Sequence, residues 1–262
     1  MMTTSLKSFI PWLHVILAAL VMQSCSGILS GVYDEPSDEE VTTVAGQLYI
    51  DASEWDKWHY IDLQEVADST AANSDFNPSV LWSTFDIPTQ EISDNDTRNG
   101  IYTYWYDVFG SGISVNEFRS FYPTAPQPQP QKWSIAVHRN NVRTNGASVA
   151  ETGFRDLDEI PHDKSFLNAL IFQEDTWSET DVWCEQSRML LGLIGNQGIM
   201  INTVLSSWLD VDIPPIPPSF AMHDNVFIIR LKDGSYGALQ LVNYQSQTGT
   251  KCCLTINYRY PI

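Results

Sequence analysis

Positive charge is what this sequence has least of. Fourteen lysines and arginines face 32 aspartates and glutamates, giving a formal net charge of −18. Such a surface repels phosphate backbones and no basic stripe offsets it, so nucleic-acid binding is excluded. The acid excess is spread along the chain, which fits solubility better than a single site. Cysteine is also scarce, with four in the chain at Cys25, Cys184, Cys252 and Cys253. The last three are an odd number, so at least one is free or pairs between chains. Cys252 and Cys253 have no second Cys/His pair nearby to complete a zinc site. A structural role is expected for all three, with Cys252 pointing alongside the buried side of its strand.

Long apolar runs are missing as well. Phe9 to Met22 is uncharged but too short to cross a bilayer, and it has the length of a secretory h-region behind Lys7. Met22-Gln-Ser-Cys25 follows, with the small Ser24 directly before a cysteine. That order fits a bacterial lipoprotein signal over 1–24, with Cys25 as the lipidated first residue. The alternative is an ordinary signal peptide with an incidental cysteine. Residues 25–44, including Tyr33-Asp-Glu-Pro-Ser-Asp-Glu-Glu40, are acidic and unpatterned and read as a solvated tether. Residues 45–262 remain for one β domain.

Catalytic signatures are absent too. No Gly-x-Ser-x-Gly elbow exists, since Gly112-Ile-Ser114 runs into Val115 and Asn116. There is no His-Glu-x-x-His, no phosphate-binding glycine loop and no dinucleotide fingerprint. Asp94-Asn-Asp96 is a poor calcium loop, because Arg98 occupies the third ligand place and Gly100 is one place late. Carboxylates are too numerous to single out a glycosidase pair. Nothing here argues for an enzyme.

What is present is β texture. Val226 to Leu231 is an apolar run closed by Lys232-Asp-Gly-Ser235, and Asp-Gly favours a tight primed hairpin turn. The return runs Tyr236 to Tyr244, and Cys252 to Tyr260 alternates Leu254, Ile256, Tyr258 and Tyr260 against Cys253, Thr255, Asn257 and Arg259. The chain is therefore expected to end in a three-stranded antiparallel meander. Gln47 to Ile50 and Trp133 to Val137 are further strand candidates. Trp58 to Leu63 alternates, with Trp58 and Tyr60 opposite His59, Ile61 and Leu63. Arg139 to Gly146 reads as turn chemistry. Phe166 to Phe172 and Met189 to Ile194 fit buried strands or short helices equally. From about 65 to 131 the texture changes to Asn/Asp/Ser runs, an aromatic strand candidate at Tyr102-Thr-Tyr-Trp-Tyr106 and Pro126-Gln-Pro-Gln-Pro130, which reads as an insertion. Ile213-Pro-Pro-Ile-Pro-Pro218 lacks the donors for an inner strand and reads as an exposed loop. The fold class is all-β, mostly antiparallel, with at most one or two short helices.

Three separated blocks carry a resemblance. They are Ile50-Asp-Ala-Ser-Glu-Trp-Asp-Lys-Trp-His-Tyr60; Trp133-Ser-Ile-Ala-Val-His-Arg-Asn-Asn-Val-Arg-Thr-Asn-Gly146; and Asn225-Val-Phe-Ile-Ile-Arg230 with Asp233-Gly234, Asn243-Tyr244 and Tyr258-Arg-Tyr-Pro261. Together they resemble the HmuY family of haem-binding surface lipoproteins, over less than half of the mature chain. The resemblance implies a lipid anchor in the outer membrane of a Bacteroidetes-type bacterium. It also implies capture of haem, with host haemoproteins as sources and a TonB-dependent outer-membrane receptor as the uptake partner. In that family two axial histidines or methionines grip the iron. Counted around Trp208, the histidine places hold Asp181 and Ile213 here, and neither suits haem iron. The resemblance then points to Met189 with Met222, or His223, as substitutes, with Ile213 and Ile216 covering the porphyrin. A packing role for both methionines is the alternative, and His162 and Met200 are outside candidates. His138 is expected to be a satisfied structural histidine. Trp133, Arg139 and Arg143 are expected to be framework, the arginines pairing local carboxylates. A competing reading keeps the fold without haem: a glycan- or protein-binding surface lipoprotein using Tyr102, Tyr104, Trp105 and Tyr106.

Overall fold

The computed structural model describes residues 46–73, 78, 83–87, 102–107, 120–121, 127–212 and 217–262. The signal, Cys25, the tether, Ile213 and Ile216 lie outside the described residues, as do the side chains of Tyr102 to Tyr106. In chain order the elements are β1 (Gln47–Asp51), β2 (Lys57–Ile61), α1 (Leu63–Ala72), β3 (Ser83–Asp86), β4 (Tyr102–Asp107), β5 (Ser120–Phe121), β6 (Ile135–His138), β7 (Asn141–Thr144) and β8 (Ser148–Glu151). They continue as β9 (Gln173–Glu174), β10 (Thr176–Glu185), β11 (Leu193–Ile201), α2 (Thr203–Ser206), β12 (Leu209–Asp212), β13 (Ser219–Met222), β14 (Phe227–Arg230), β15 (Tyr236–Gln245) and β16 (Lys251–Arg259). All strand pairs are antiparallel.

Three layers result. A six-stranded sheet runs β1-β16-β15-β14-β8-β9, a four-stranded sheet β3-β2-β6-β7 and another β10-β11-β4-β5, while β12 and β13 form a separate hairpin. The middle sheet is apolar on both faces, and the alternation read from Trp58 onward explains how. Trp58, Tyr60 and Ala136 pack with Val182, Cys184, Ile199 and Ile201 of the β10–β11 hairpin. Ile61, Ile135, Val137 and Val142 point the other way, into the main core with Leu48, Ile50, Phe227, Leu239, Leu254 and Ile256 of the large sheet. Period-two side chains on one strand thus serve two cores.

The C-terminal meander forms as expected, with Leu254, Ile256 and Tyr258 inward. Its first turn is looser than a primed two-residue turn. Leu231 N–H donates to Ser235 O, Gly234 N–H donates to Leu231 O, and only Gly234 has positive φ (84°). Asp233 instead accepts from the Ser235 backbone and hydroxyl, which stabilises a longer loop. At the start of β16, Cys252 is left-handed (φ 65°), so simple parity fails there and both Cys252 and Cys253 are fully buried. None of Cys184, Cys252 and Cys253 is in a disulfide. The Cys253 thiol lies 3.6 Å from the Asp51 carboxylate, and burial first, with that charge, pushes it up to about 12.

Two expectations need correction. Leu63 does not end a strand; it begins α1, capped by Asp62, whose carboxylate accepts from Gln64 N–H. Leu63 and Val66, one helical turn apart, are the buried pair. The stretch from Arg139 is not all turn either. Asn141–Thr144 is β7, paired with β6 through a two-residue turn whose first member, Arg139, has φ 53°. That conformation is costly for a non-glycine residue. Arg139 is 4% exposed, donates to Ser53 O at 2.7 Å and lies 4.5 Å from the Trp55 ring centroid, which offsets the cost. The two ambiguous apolar runs also divide. Lys164–Ala169 is a 3-10 helix, and Met189–Leu191 is a 3-10 turn leading into β11.

Candidate functional site

A polar cleft of about 320 Å³ opens where the middle sheet meets the β10–β11 hairpin. One wall is the β6–β7 turn, with Asn140 and Asn141; another is Asp181 and Trp183 of β10; the floor is α2 with Ser206 and Ser207; the rim is Leu209 to Asp212 of β12. Side chain to backbone bonds fix these walls. Asn141 Nδ2 donates to Asp181 O at 2.7 Å, Asn140 Nδ2 to Leu209 O at 3.2 Å, and Trp208 Nε1 to Asn140 O at 3.0 Å. Ser178 Oγ donates to the Asp181 carboxylate at 2.6 Å. Behind the β10 wall, Trp183 stacks on buried Trp55 with ring centroids 6.0 Å apart. Asn202 caps α2 by accepting from Leu205 N–H and also donates to Asp175.

Asp181 therefore lines a cleft, and Asp212 at the rim is the residue before Ile213. Oxygen is the only strong donor type among the cleft's described lining residues. Haem iron takes histidine, methionine, cysteine or tyrosine side chains as axial ligands, and the three carboxylates oppose anionic propionates. The interior of the cleft therefore does not fit haem.

The expected substitutes fall in two places. Met222 lies on β13 opposite Leu209 and is 37% exposed. His223 follows it, bonds through its backbone to Trp208 O and places Nε2 2.9 Å from the Asp210 carboxylate, at the cleft rim. Met189 is buried in the turn before β11. The whole of β11, about 26 Å of chain at the usual strand rise, separates that turn from Ile201 at the cleft. Neither Met189 nor Met222 lines the cleft. His162 lines a small separate pocket with Phe166 and Arg259. Met200 is exposed opposite Trp177 on β10.

The framework residues behave differently from expectation in detail. His138 is fully buried, donates from Nε2 to Trp55 O at 2.7 Å and has no partner for Nδ1 among the described residues, so there it is half satisfied. Burial pushes its pKa down to about 3. Arg143 lies 5.0 Å from the Trp133 ring centroid and 5.8 Å from Trp58, and donates to Tyr60 Oη and Gln129 Oε1. Rings and neutral oxygens hold it, and the charge of the Asp175 carboxylate also acts on it. Trp183, Asp210 and Asp212 were not singled out from sequence. The only available signals were the Asn140-Asn141 turn and the misfit at Asp181.

Comparison with known proteins then bears on these features. The HmuY protein family model matches residues 54–258. Among curated proteins none matches the sequence. A solved structure from Bacteroides vulgatus, described as a HmuY-like heme-binding protein, is 27% identical, covering 87% of this chain and 97% of its own at a TM-score of 0.51. A lipoprotein structure from Bacteroides fragilis is 23% identical, covering 83% and 91% at 0.57. An apo HmuY analog from Tannerella forsythia is 17% identical, covering 85% and 97% at 0.53. The last two similarities concern the fold. With its family model spanning all three layers and the cleft between them, this chain belongs to the HmuY protein family.

Proposed function

We propose that this protein is a non-enzymatic haem-capture lipoprotein, held at the outer membrane through Cys25 and passing haem to an uptake receptor. Family membership supports binding of a haem-type ligand, and HmuY proteins bind rather than catalyse. The observation that carries the site is the His223–Asp210 pair at 2.9 Å on the β12–β13 hairpin. A carboxylate on one ring nitrogen orients an imidazole and leaves the other nitrogen to meet iron. Met222, exposed on the same hairpin, offers a soft alternative donor. Ile213 and Ile216 would cover the porphyrin from the loop between the strands.

Titration of the purified protein with haemin, followed in the Soret region, tests this. A sharpened, shifted band is expected, strongly reduced by His223→Ala, reduced by Met222→Ala and retained by Met189→Ala. Absence of any shift in the unaltered protein refutes haem capture. A band indifferent to His223→Ala removes the hairpin from the site. Anchoring has its own check. Cells given labelled palmitate should label the unaltered chain and not Cys25→Ser, and equal labelling would remove Cys25 as the anchor.

A further inference from the structure

We infer that the cleft bordered by β12 is a carbohydrate site, taking a neutral sugar of one or two rings, next to the hairpin face that carries His223. Its volume of about 320 Å³ lies at the small end of ligand sites. Its chemistry is that of a polyhydroxyl ligand. Asp181 and Asp212 accept strongly from hydroxyls, Asn140 can donate and accept, and Ser207, whose hydroxyl donates to Val204 O at 2.7 Å, can accept. No lysine or arginine is among the lining residues. Phosphates, sulfated sugars, uronates and haem propionates therefore meet like charge without compensation.

Trp183 adds the apolar component a sugar needs. The indole is half-buried and lines the cleft, so part of it remains available. Its stacking on Trp55, itself 5% exposed, holds it as a fixed platform for the C–H face of a pyranose. The polar walls are equally preset, because Asn140 and Asn141 are committed to backbone oxygens of Leu209 and Asp181. A site already arranged loses little entropy on binding. The carboxylates do not converge as metal ligands do: among the described residues no group of three His, Cys, Asp or Glu side chains is placed to hold an ion. Spread acceptors suit an extended ring of hydroxyls.

The test uses the purified full chain, with calorimetry and tryptophan fluorescence against methyl glucoside, methyl galactoside, methyl mannoside, N-acetylglucosamine and glucuronate. Saturable binding of at least one neutral sugar is expected, with glucuronate weaker. Trp183→Ala should weaken it about tenfold or more, equivalent to about 1.4 kcal/mol. Trp177→Ala, outside the cleft, should leave it unchanged. Should Trp183→Ala disturb the circular dichroism spectrum, Asp212→Ala at the exposed rim decides instead, with a several-fold loss expected. No saturable signal with any neutral sugar overturns the inference, as do binding indifferent to both substitutions and tighter binding of glucuronate. Haemin titration run in parallel keeps the outcomes apart, since either ligand can fail while the other binds.

Discussion

Trp208→Ala should cost this protein about 3–5 kcal/mol of stability, the usual range for truncating a fully buried tryptophan. Trp208 has no exposed surface and packs in the main core with Leu205, Leu209 and Val142. Its indole N–H also reaches Asn140 O and so ties the β6–β7 turn to the start of β12. Truncation leaves a cavity and strands that carbonyl, two penalties of different origin. Trp208→Phe separates them: most of the packing stays and the hydrogen bond goes, for an expected loss of about 1–2 kcal/mol. Urea unfolding monitored by circular dichroism measures both. Trp177→Ala, at 44% exposure, serves as the mild control. A Trp208→Ala loss no larger than the control would mean that the hairpin is not anchored through this ring.

Acid should unfold the protein well before its exposed carboxylates account for it. His138 and His59 are held neutral by burial, with pKa values lowered to about 3 and about 4 from the ordinary 6.5. The unfolded chain takes up these two protons as pH falls below 6.5, and the folded chain does not. Stability is therefore full above 6.5 and declines from there to about pH 4, by up to about 1.4 kcal/mol per pH unit for each histidine. Asp175 acts in the opposite sense, because burial raises its carboxyl and acid favours its folded form. His138→Gln keeps a donor near Trp55 O and removes one titration. Its stability–pH curve between pH 6 and pH 4 should be shallower by about one proton. Equal slopes would show that His138 is already solvated or protonated in the folded state.

Much of the large and middle sheets was legible because their strands alternate cleanly and their turns use Asp-Gly and Asn-rich chemistry. β1, β2, β6 and the meander follow from that alone. α1 escaped because Leu63 fits two periods, one shared with Ile61 and one with Val66, while the cap at Asp62 is a single residue beside a strong alternation. β7 escaped because turn residues flank it closely, Arg139-Asn140 before it and Asn145-Gly146 after it, and the first turn is opened by Arg139, a residue type that seldom adopts positive φ. The site was less legible still. A cleft assembled from the β6–β7 turn, β10, α2 and β12 joins residues from 140 to 212, and no local pattern reports such a meeting. Asp181 looked like a lost ligand in the sequence, yet in space it is one wall of a polar chamber. Met189 and Met222 shared suitable chemistry, and chain distance gave no warning that all of β11 stands between their elements.

The first described strand lies against the last: among the described residues β1 pairs only with β16, and Gln47 reaches Asn257 across the width of the sequence. Closing so long a loop is slow and entropically costly. The amino-terminal strand must therefore wait, with Leu48 and Ile50 uncovered, until residue 259 has left whatever machinery delivers the chain. Assembly cannot proceed in order of synthesis, and a transcript cut short anywhere before the final strand yields an orphaned β1 that quality-control proteases can seize.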